Sequence, residues 1–299
     1  MTVEARTTSR SSLPTLKGSL LLGIFAKRVL RSVVVHSFLI LASFFMALPF
    51  IWMVLGSLKT LPEVFIFPPR WLPRSPQWSN YIAVTKAMPF SWFMFNSFKI
   101  AFLVVVGQVL SASMAAYAFA RMRFPGRDTC FLIWLACMMI PSQVTLIPQF
   151  VLFRSFGWLD SHLPLVVPNF FGNAFGTFLI RQFFLTIPSE LEDAAIVDGC
   201  GRFRIYWNIM MPLSMPVLAT FAVFTFMGSW NNLLGPVIYL TTYQKMTLTV
   251  GLAFFRGQYY TDWPLLMAGA TISVTPIVLL YIFAQRYFVQ GVVMSGIKG

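Results

Sequence analysis

The apolar residues of the chain gather in six long runs that are separated by shorter polar segments. Each run has the roughly 17–25 mostly apolar residues that a helix needs to cross the hydrocarbon core of a bilayer. The runs lie near residues 33–56, 96–120, 129–152, 165–185, 213–240 and 265–288. This pattern predicts an all-α polytopic membrane protein with six transmembrane helices over residues 33–288. A basic N-terminal segment, 1–32, precedes this domain, and a short tail, 289–299, follows it.

The composition of the 299 residues agrees with a membrane environment. Hydrophobic residues make up 58% of the chain and charged residues only 10%, whereas soluble domains have roughly 45–50% and about 25%. The mean hydropathy is +0.74. Because so few polar side chains are available to cover a core, the composition excludes a soluble globular fold, a disordered chain and a disulfide-stapled secreted fold.

Basic residues outnumber acidic ones, with 22 Lys and Arg against 9 Asp and Glu and a net charge of +13. They are scattered between the apolar runs and no nucleic-acid-binding module accompanies them, so we expect no nucleic-acid partner. Cytoplasmic loops of membrane proteins are enriched in Lys and Arg. With the N-terminus inside, 14 basic residues fall on the cytoplasmic side and 8 on the outer side. This bias predicts that both termini are cytoplasmic.

The sequence offers little material for a metal site or for catalysis. The three cysteines, Cys130, Cys137 and Cys200, are widely spaced, and only His36 and His162 could join them. We therefore expect the cysteines to behave as small buried hydrophobic residues, and we expect no metal to bind. No Ser/His/Asp, Cys/His or paired-carboxylate arrangement falls within a predicted span, which argues against a membrane-embedded enzyme.

One segment, 187–212, concentrates acidic residues between the fourth and fifth predicted spans. Four of the nine acids lie within nine residues: Glu190, Glu192, Asp193 and Asp198. Ser189 followed by Glu192 predicts a capping box at a helix N-terminus, where the helix dipole favours acidic side chains. Gly199 predicts the end of that helix. The segment is therefore predicted to form two short helices with a bend at the cytoplasmic surface. Taken alone, the pattern fits a solvated surface loop equally well.

This segment resembles the EAA loop of binding-protein-dependent ABC importer permeases. The family pattern is Glu-Ala-Ala, three residues, Gly, nine residues, Ile, one residue and Leu-Pro. Here the matching residues are Asp193, Ala194, Ala195, Gly199, Ile209, Met211 and Pro212, with every spacing kept. Asp193 stands in place of Glu and Met211 in place of Leu, so the charge and the apolar character are retained.

Further motifs resemble the carbohydrate branch of this family. The stretch 115–121, followed by Phe124-Pro125-Gly126-Arg127, is similar to the end of the second span in sugar permeases, and so is the ending of the chain. The pair Asp198-Gly199 also favours that branch. Within it, the short six-span form and the Lys-Gly ending are similar to the smaller, G-type subunit of maltose-type importers.

The resemblance implies a type I ABC importer permease in a prokaryotic inner membrane. The implied partners are a second homologous permease, two cytoplasmic ATPase subunits, an external solute-binding protein, a sugar substrate and the lipid bilayer. The implied ATPase-coupling residues are Glu190, Glu192, Asp193, Ala194, Ala195, Asp198, Gly199, Ile209 and Pro212. The implied tail contacts to the ATPase are Gly296, Lys298 and Gly299.

The chain has no Gly-rich phosphate loop with Lys-Ser/Thr, so it is expected to bind no cofactor itself, and ATP and Mg²⁺ would lie on the ATPase partners. Polar side chains within the spans are candidates for the translocation path, because buried polar groups in lipid face the bundle interior or a water-filled path. The candidates are Gln143, Asn169, Asn173, Asn231 and Asn232, with Gln108 and Gln149 as further amides. Such amides suit hydroxyl-rich ligands, although hydrogen bonds between helices are the more common reason for any single buried amide in a span.

Two alternatives remain at this point. A glycerol-phosphate substrate is compatible with the same machinery, because Arg and Lys in the outer loops would attract anions. A self-sufficient secondary carrier is less favoured, because all nine acids fall in predicted tails or loops. Carriers that are coupled to protons or Na⁺ usually need such a group within a span.

Overall fold

The computed structural model describes the backbone of residues 16–255 and 261–296 and the side chains of residues 27–255 and 261–286. The regular structure of these ranges is entirely helical. The α-helices are α1 (Leu16–Ser57), α2 (Leu61–Val64), α3 (Ser79–Ala87), α4 (Phe90–Arg121), α5 (Arg127–Ala136), α6 (Ser142–Ser155), α7 (Leu163–Phe170), α8 (Ala174–Phe184), α9 (Glu190–Val197), α10 (Arg202–Ile205), α11 (Met211–Leu213), α12 (Met215–Trp230), α13 (Leu234–Tyr239), α14 (Leu248–Phe254) and α15 (Trp263–Gly296). Short 3₁₀ turns occur at Cys137–Met139 and Tyr243–Lys245, and a π-helical turn at Tyr206–Met210.

Several of these helices are long and apolar enough to cross a bilayer. Within the described ranges there are four such segments: Lys27–Ser57, Phe90–Arg121, Leu163–Phe184 and Trp263–Arg286. Two further pairs of helices pass the same test only when each pair is taken together: Arg127–Met139 with Ser142–Ser155, and Arg202–Leu213 with Met215–Trp230. The structure therefore has four membrane-spanning candidates, or up to six if each bent pair is one span. The all-helical class predicted from the sequence is confirmed.

Proline accounts for both bends. The pair that covers most of the predicted third span, 129–152, bends by 94°. Pro141 lies at this break, and proline both lacks a backbone N–H and disfavours helical conformation in the residue before it. The second pair bends by 79° at Ser214, just before Pro216 in the first turn of α12. The predicted fifth span, 213–240, is not one helix, because α12 ends at Trp230 and α13 begins after a break.

The chain divides into two units, one up to Met53 and one from Val54 onward. In the first unit the side chains from residue 27 onward are mostly exposed, as expected of a helix that faces lipid. In the second unit α4 is the central helix, packed against α7, α8 and α12. Its buried residues recur from Phe90 to Tyr117.

Glycines allow the closest approaches of these helices. A Cβ on Gly107 of α4 would lie 2.2 Å from the ring of Phe170, and a Cβ on Gly176 of α8 would lie 2.1 Å from the ring of Phe221 on α12. Real Cβ contacts are essentially never that short, so a larger residue at either position would force the facing phenyl ring to move. The expected burial of the cysteines is wrong for Cys130 and Cys137, which are exposed on α5 and the turn that follows it.

Replacing Gly176 by alanine should destabilise the protein by about 1–3 kcal/mol, because the added methyl group overpacks the contact between α8 and α12. Thermal unfolding of the detergent-solubilised protein measures this as a lower midpoint. The matched control is Gly228→Ala on α12, where nothing lies within 4 Å of the new Cβ. The control should keep or raise the midpoint, since alanine is the better helix former. Equal midpoints for the two variants would contradict the packing described here.

Candidate functional site

Segment 187–212 forms two short helical pieces with a bend, as its sequence predicts. α9 runs from Glu190 to Val197, and the chain turns at Gly199, whose φ is +80°. It continues through α10, the π-helical turn and α11. Nothing lies within 4 Å of the position that a Cβ would take on Gly199. The need for glycine there comes from the left-handed backbone conformation and not from packing.

The predicted capping box at the start of α9 is wrong. Ser189 itself has helical dihedrals, φ −67° and ψ −25°, and its side chain makes no capping hydrogen bond. The carboxylate of Glu192 does not turn back to the helix N-terminus but points inward to a guanidinium. A charge pair in a buried setting outcompetes a local side chain–backbone hydrogen bond.

A buried ion pair ties α9 to the end of α4. Nε of Arg121 lies 2.9 Å from Oε1 of Glu192, and the two side chains are only 12% and 5% exposed. These two atoms are not aligned as a hydrogen bond, so the contact is ionic. Nη2 of Arg121 donates to the carbonyl of Phe184, at 2.6 Å, and to the carbonyl of Ile187. One guanidinium therefore joins the C-terminal ends of α4 and α8 to the first turn of α9.

The second oxygen of the Glu192 carboxylate has its own partners. Oε2 accepts a hydrogen bond from the hydroxyl of Tyr117 at 3.4 Å and lies 3.6 Å from Nη1 of Arg202 on α10. The carboxylate is thus surrounded by two guanidinium groups and a phenol. Removing one partner of such a buried pair typically costs 3–5 kcal/mol, because the other charge is left without compensation.

The opposite face of α9 carries an acidic surface with little side-chain relief. Asp193 and Ala194 are exposed, and Val197 is 87% exposed. Glu192 and Ala195, which the family resemblance implies as coupling residues, are buried and face the helix bundle. The other predicted coupling residues lie nearer the surface. Glu190, Asp198, Gly199 and Pro212 are exposed, and Ile209 is half-buried.

The buried face of the segment is part of the main hydrophobic core. Ala195, Ile205, Tyr206 and Met210 pack in one cluster with residues of α4, α8 and α12. The hydroxyl of Tyr206 also lies 2.8 Å from Oγ of Ser113 on α4, in a buried hydrogen bond. Because protein interiors are densely packed, a displacement of the segment must move the ends of these three helices with it.

A cavity of about 250 Å³ lies between α4, α7, α8 and α12. Among the residues that the structure describes, its lining contains amides and hydroxyls but no charged side chain. The polar lining residues are Ser97, Gln108, Asn169, Asn173, Thr225, Ser229, Asn232 and Thr247. Along α4, Gln108 is about 20 Å from Arg121, at ~1.5 Å per residue. The cavity and segment 187–212 are therefore two separate sites joined by shared helices.

The structure brings together only some of the predicted path residues. Asn169, Asn173 and Asn232 line the cavity, whereas Gln143 and Asn231 are exposed and are not among its lining residues. Sequence reasoning missed Thr225 and Ser229. Both lie on α12 among apolar neighbours. A short hydroxyl side chain within a span can bond to the backbone of its own helix, so its presence does not indicate a polar cavity.

A carboxylate joins the loop before α7 to the loop after α13. Oδ1 of Asp160 accepts hydrogen bonds from the backbone N–H groups of Thr241 and Thr242, and Oδ2 accepts from the hydroxyl of Thr242 at 2.6 Å and from Nζ of Lys245 at 2.9 Å. The hydroxyl and N–H of Thr242 hold the pKa of Asp160 well below its usual range. Since α7 and α13 both contribute to the cavity wall, this contact fixes their spacing.

Part of the predicted tail contact lies outside the described residues. α15 continues to Gly296, and Lys298 and Gly299 lie beyond it. Within the described residues, no group of three or more His, Cys, Asp or Glu side chains is placed to hold a metal ion.

Residues 107–294 match the family described as "Binding-protein-dependent transport system inner membrane component". The chain belongs to this family. It is a permease component of an ABC transport system and resides in the inner membrane. The match includes the second half of α4 from Gly107, most of the residues that line the cavity, and all of segment 187–212.

Several individual permeases are similar to this chain along most of its length. The probable ABC transporter permease YurM of Bacillus subtilis is 34% identical over 264 residues, which is 88% of this chain and 87% of YurM. The arabinooligosaccharide permease AraQ of Halalkalibacterium halodurans is 36% identical over 73% of this chain and 78% of its own length. The sn-glycerol-3-phosphate permease UgpE of Yersinia enterocolitica is 34% identical over 78% and 85%.

A solved structure has the same fold. The crystal structure of a bacterial ABC transporter involved in the import of the acidic polysaccharide alginate contains a chain that superposes with a TM-score of 0.74 at 24% identity. The superposition covers 95% of this permease and 100% of that chain.

Replacing Glu192 by leucine should loosen segment 187–212, because Arg121 would keep a buried charge without its carboxylate. Hydrogen exchange of the amides of α9 should increase relative to the wild type, while exchange in the middle of α4 should stay unchanged.

The control is Asp193→Leu, which removes the neighbouring carboxylate from the exposed face of α9. That variant should leave the exchange of the segment close to the wild-type rate. Equal exchange in both variants would mean that the buried ion pair does not hold the segment.

Proposed function

We propose that this permease is one of two homologous permease subunits of an ATP-driven importer for a sugar or oligosaccharide. In this proposal the chain crosses the prokaryotic inner membrane six times, with the transmembrane domain over residues 33–288. Segments 1–32 and 289–299 are cytoplasmic. The second permease completes the path, two ATPase subunits supply the energy, and an external solute-binding protein delivers the substrate.

The exposed face of α9 supports the proposed contact with the ATPase. Asp193 and the small Ala194 are exposed, and Val197 adds an apolar contact at the end of the helix. An exposed helix face that combines one carboxylate with small and apolar side chains fits a groove on a partner protein. The face is held rigidly from behind by Glu192 and Ala195, so a force on α9 is transmitted to the bundle rather than absorbed by the loop.

The other proposed coupling residues lie on the same segment, 187–212. Glu190, Asp198, Gly199 and Pro212 are exposed on the segment, and Ile209 is half-buried beneath it. We propose that the tail residues Gly296, Lys298 and Gly299 reach the same ATPase. ATP and Mg²⁺ bind to the ATPase subunits, because the sequence of this chain contains no phosphate-binding loop.

The cavity supports a sugar as the substrate rather than glycerol phosphate, although both occur among the substrates named for similar permeases. Asn169, Asn173 and Asn232 are its predicted path residues, and none of the described residues that line it is charged. A phosphate would need a cation beside it in such a setting, whereas the hydroxyl groups of a sugar need only neutral donors and acceptors. The uncharged lining is the observation that carries this choice.

Replacing Ala194 by tryptophan should abolish co-purification of the ATPase subunits and substrate uptake, because the large ring would obstruct the docking face without entering the interior of the chain. The amount of protein in the membrane should stay at the wild-type level. The matched control, Ala87→Trp, changes an exposed alanine at the end of α3 and should keep the ATPase bound. Normal co-purification from Ala194→Trp would contradict the proposed contact.

The substrate class is tested by uptake in cells that carry the complete transporter. We expect accumulation of at least one labelled sugar from a panel of L-arabinose, D-xylose, D-glucose, maltose, cellobiose and arabinotriose. A large excess of sn-glycerol 3-phosphate should not compete with that uptake. Uptake of labelled sn-glycerol 3-phosphate without uptake of any panel sugar would replace the sugar by the phosphate as substrate.

A further inference from the structure

Gln108 lies in the cavity wall with its side-chain oxygen fully engaged. The residue is 6% exposed. Its Oε1 accepts a hydrogen bond from Nδ2 of Asn173 at 3.2 Å and another from Oγ1 of Thr225 at 3.3 Å. These bonds join α4 to α8 and α12, so the amide plane of Gln108 is held from two sides.

The orientation of the Gln108 amide follows from a backbone group. Oδ1 of Asn173 accepts from the N–H of Gly176 at 3.0 Å, which caps the N-terminus of α8. A backbone N–H only donates, so the oxygen of Asn173 must face it, and the NH₂ group of Asn173 must face Gln108. The atom of Gln108 that faces Asn173 is therefore its oxygen. These constraints leave the NH₂ group of Gln108 as the end of the amide that has no hydrogen-bond partner among the described residues.

The NH₂ group of Gln108 is presented to the cavity. Among the described residues no acceptor lies within hydrogen-bonding geometry of Nε2. This nitrogen is not one of the fully buried side-chain atoms that lack a hydrogen-bond partner, so it keeps some access to solvent. Leaving a buried donor without an acceptor costs about 1–3 kcal/mol. The nine-tenths buried side chain thus holds two N–H donors ready for a group that enters the cavity.

A second amide in the lining is oriented in the same way. Oδ1 of Asn232 accepts from the N–H of Gly235 at 3.1 Å, so its NH₂ group is also left to donate, and no described residue accepts from it. The N-terminus of α8, capped by Asn173, adds a partial positive charge at this wall. The wall therefore offers oriented donors without a formal charge.

We infer that this chain itself contains a subsite for one sugar ring, in which Gln108 and Asn232 donate hydrogen bonds to ring or hydroxyl oxygens. The inference rests on the sugar substrate proposed above and extends it from a general path to a specific donor pair. The cavity volume of about 250 Å³ is near the lower end of small-ligand sites, roughly 300–1,000 Å³. One ring, rather than an extended oligosaccharide, fits that space.

Two substitutions at Gln108 separate the donor role from the structural role. Gln108→Glu keeps a carboxyl oxygen for Asn173 and Thr225 but replaces the NH₂ group by a second oxygen. Gln108→Met removes both the donors and the acceptor at a similar volume and adds no charge. The matched control is Gln182→Met on α8, an exposed glutamine outside the cavity and outside segment 187–212.

The experiment measures uptake of the panel sugars in cells that carry each variant of the complete transporter, and ATP hydrolysis by the purified complexes. We expect both Gln108 variants to reduce sugar uptake about tenfold, which corresponds to the loss of a buried hydrogen bond. Their ATP hydrolysis should stay within about twofold of the wild type, because segment 187–212 is unchanged. Gln182→Met should match the wild type in both measurements.

Each other outcome overturns a specific statement. Normal uptake by Gln108→Glu or by Gln108→Met would overturn the donor subsite while the proposed function stands, because the wild type still transports the sugar. Parallel loss of uptake and ATP hydrolysis in both variants would also overturn it, since Gln108 would then be a structural residue only. If the wild type transports sn-glycerol 3-phosphate and no panel sugar, the proposed substrate fails and the subsite fails with it.

Discussion

The buried charge pair between Arg121 and Glu192 fixes segment 187–212 against the helix bundle. It lies where α4, α8 and α9 meet, and its guanidinium also binds two backbone carbonyls at the end of α8. A buried ion pair contributes little net stability compared with apolar packing, but separating its partners leaves buried charges without compensation. Such an interaction suits a segment that must transmit movement without bending.

Two sites with different chemistry share the same three helices. Segment 187–212 presents an acidic, low-relief surface and packs its other face against α4, α8 and α12. About 20 Å along α4, the same helices enclose the uncharged cavity around Gln108. A rigid-body movement imposed on α9 would therefore change the cavity wall directly, with no separate relay between the two sites. This arrangement is what a permease requires if its motor lies on other subunits.

Local sequence signals predicted the positions of these elements better than their interactions. The acidic start at Glu190 and the glycine at position 199 gave the bounds of α9, because helix termini and left-handed turns depend on neighbouring residues only. The predicted capping role of Glu192 was wrong, because its carboxylate pairs with Arg121. Arg121 is 71 positions away in the sequence, and no local pattern indicates that contact. The orientation of Gln108 depends in the same way on Asn173 and Thr225, which are distant along the chain. The bends in the predicted third and fifth spans were marked by prolines, but their angles depend on packing.

In the proposed assembly, α9 docks on an ATPase subunit at the cytoplasmic surface. The most direct measurement is crosslinking of Val197→Cys in native membranes, in a chain whose three natural cysteines are replaced by serine. The 87% exposed position should crosslink to the ATPase subunit and resist a membrane-impermeant thiol reagent that is added from outside intact cells. Labelling of this residue from the outside, without a crosslink to the ATPase, would contradict the account.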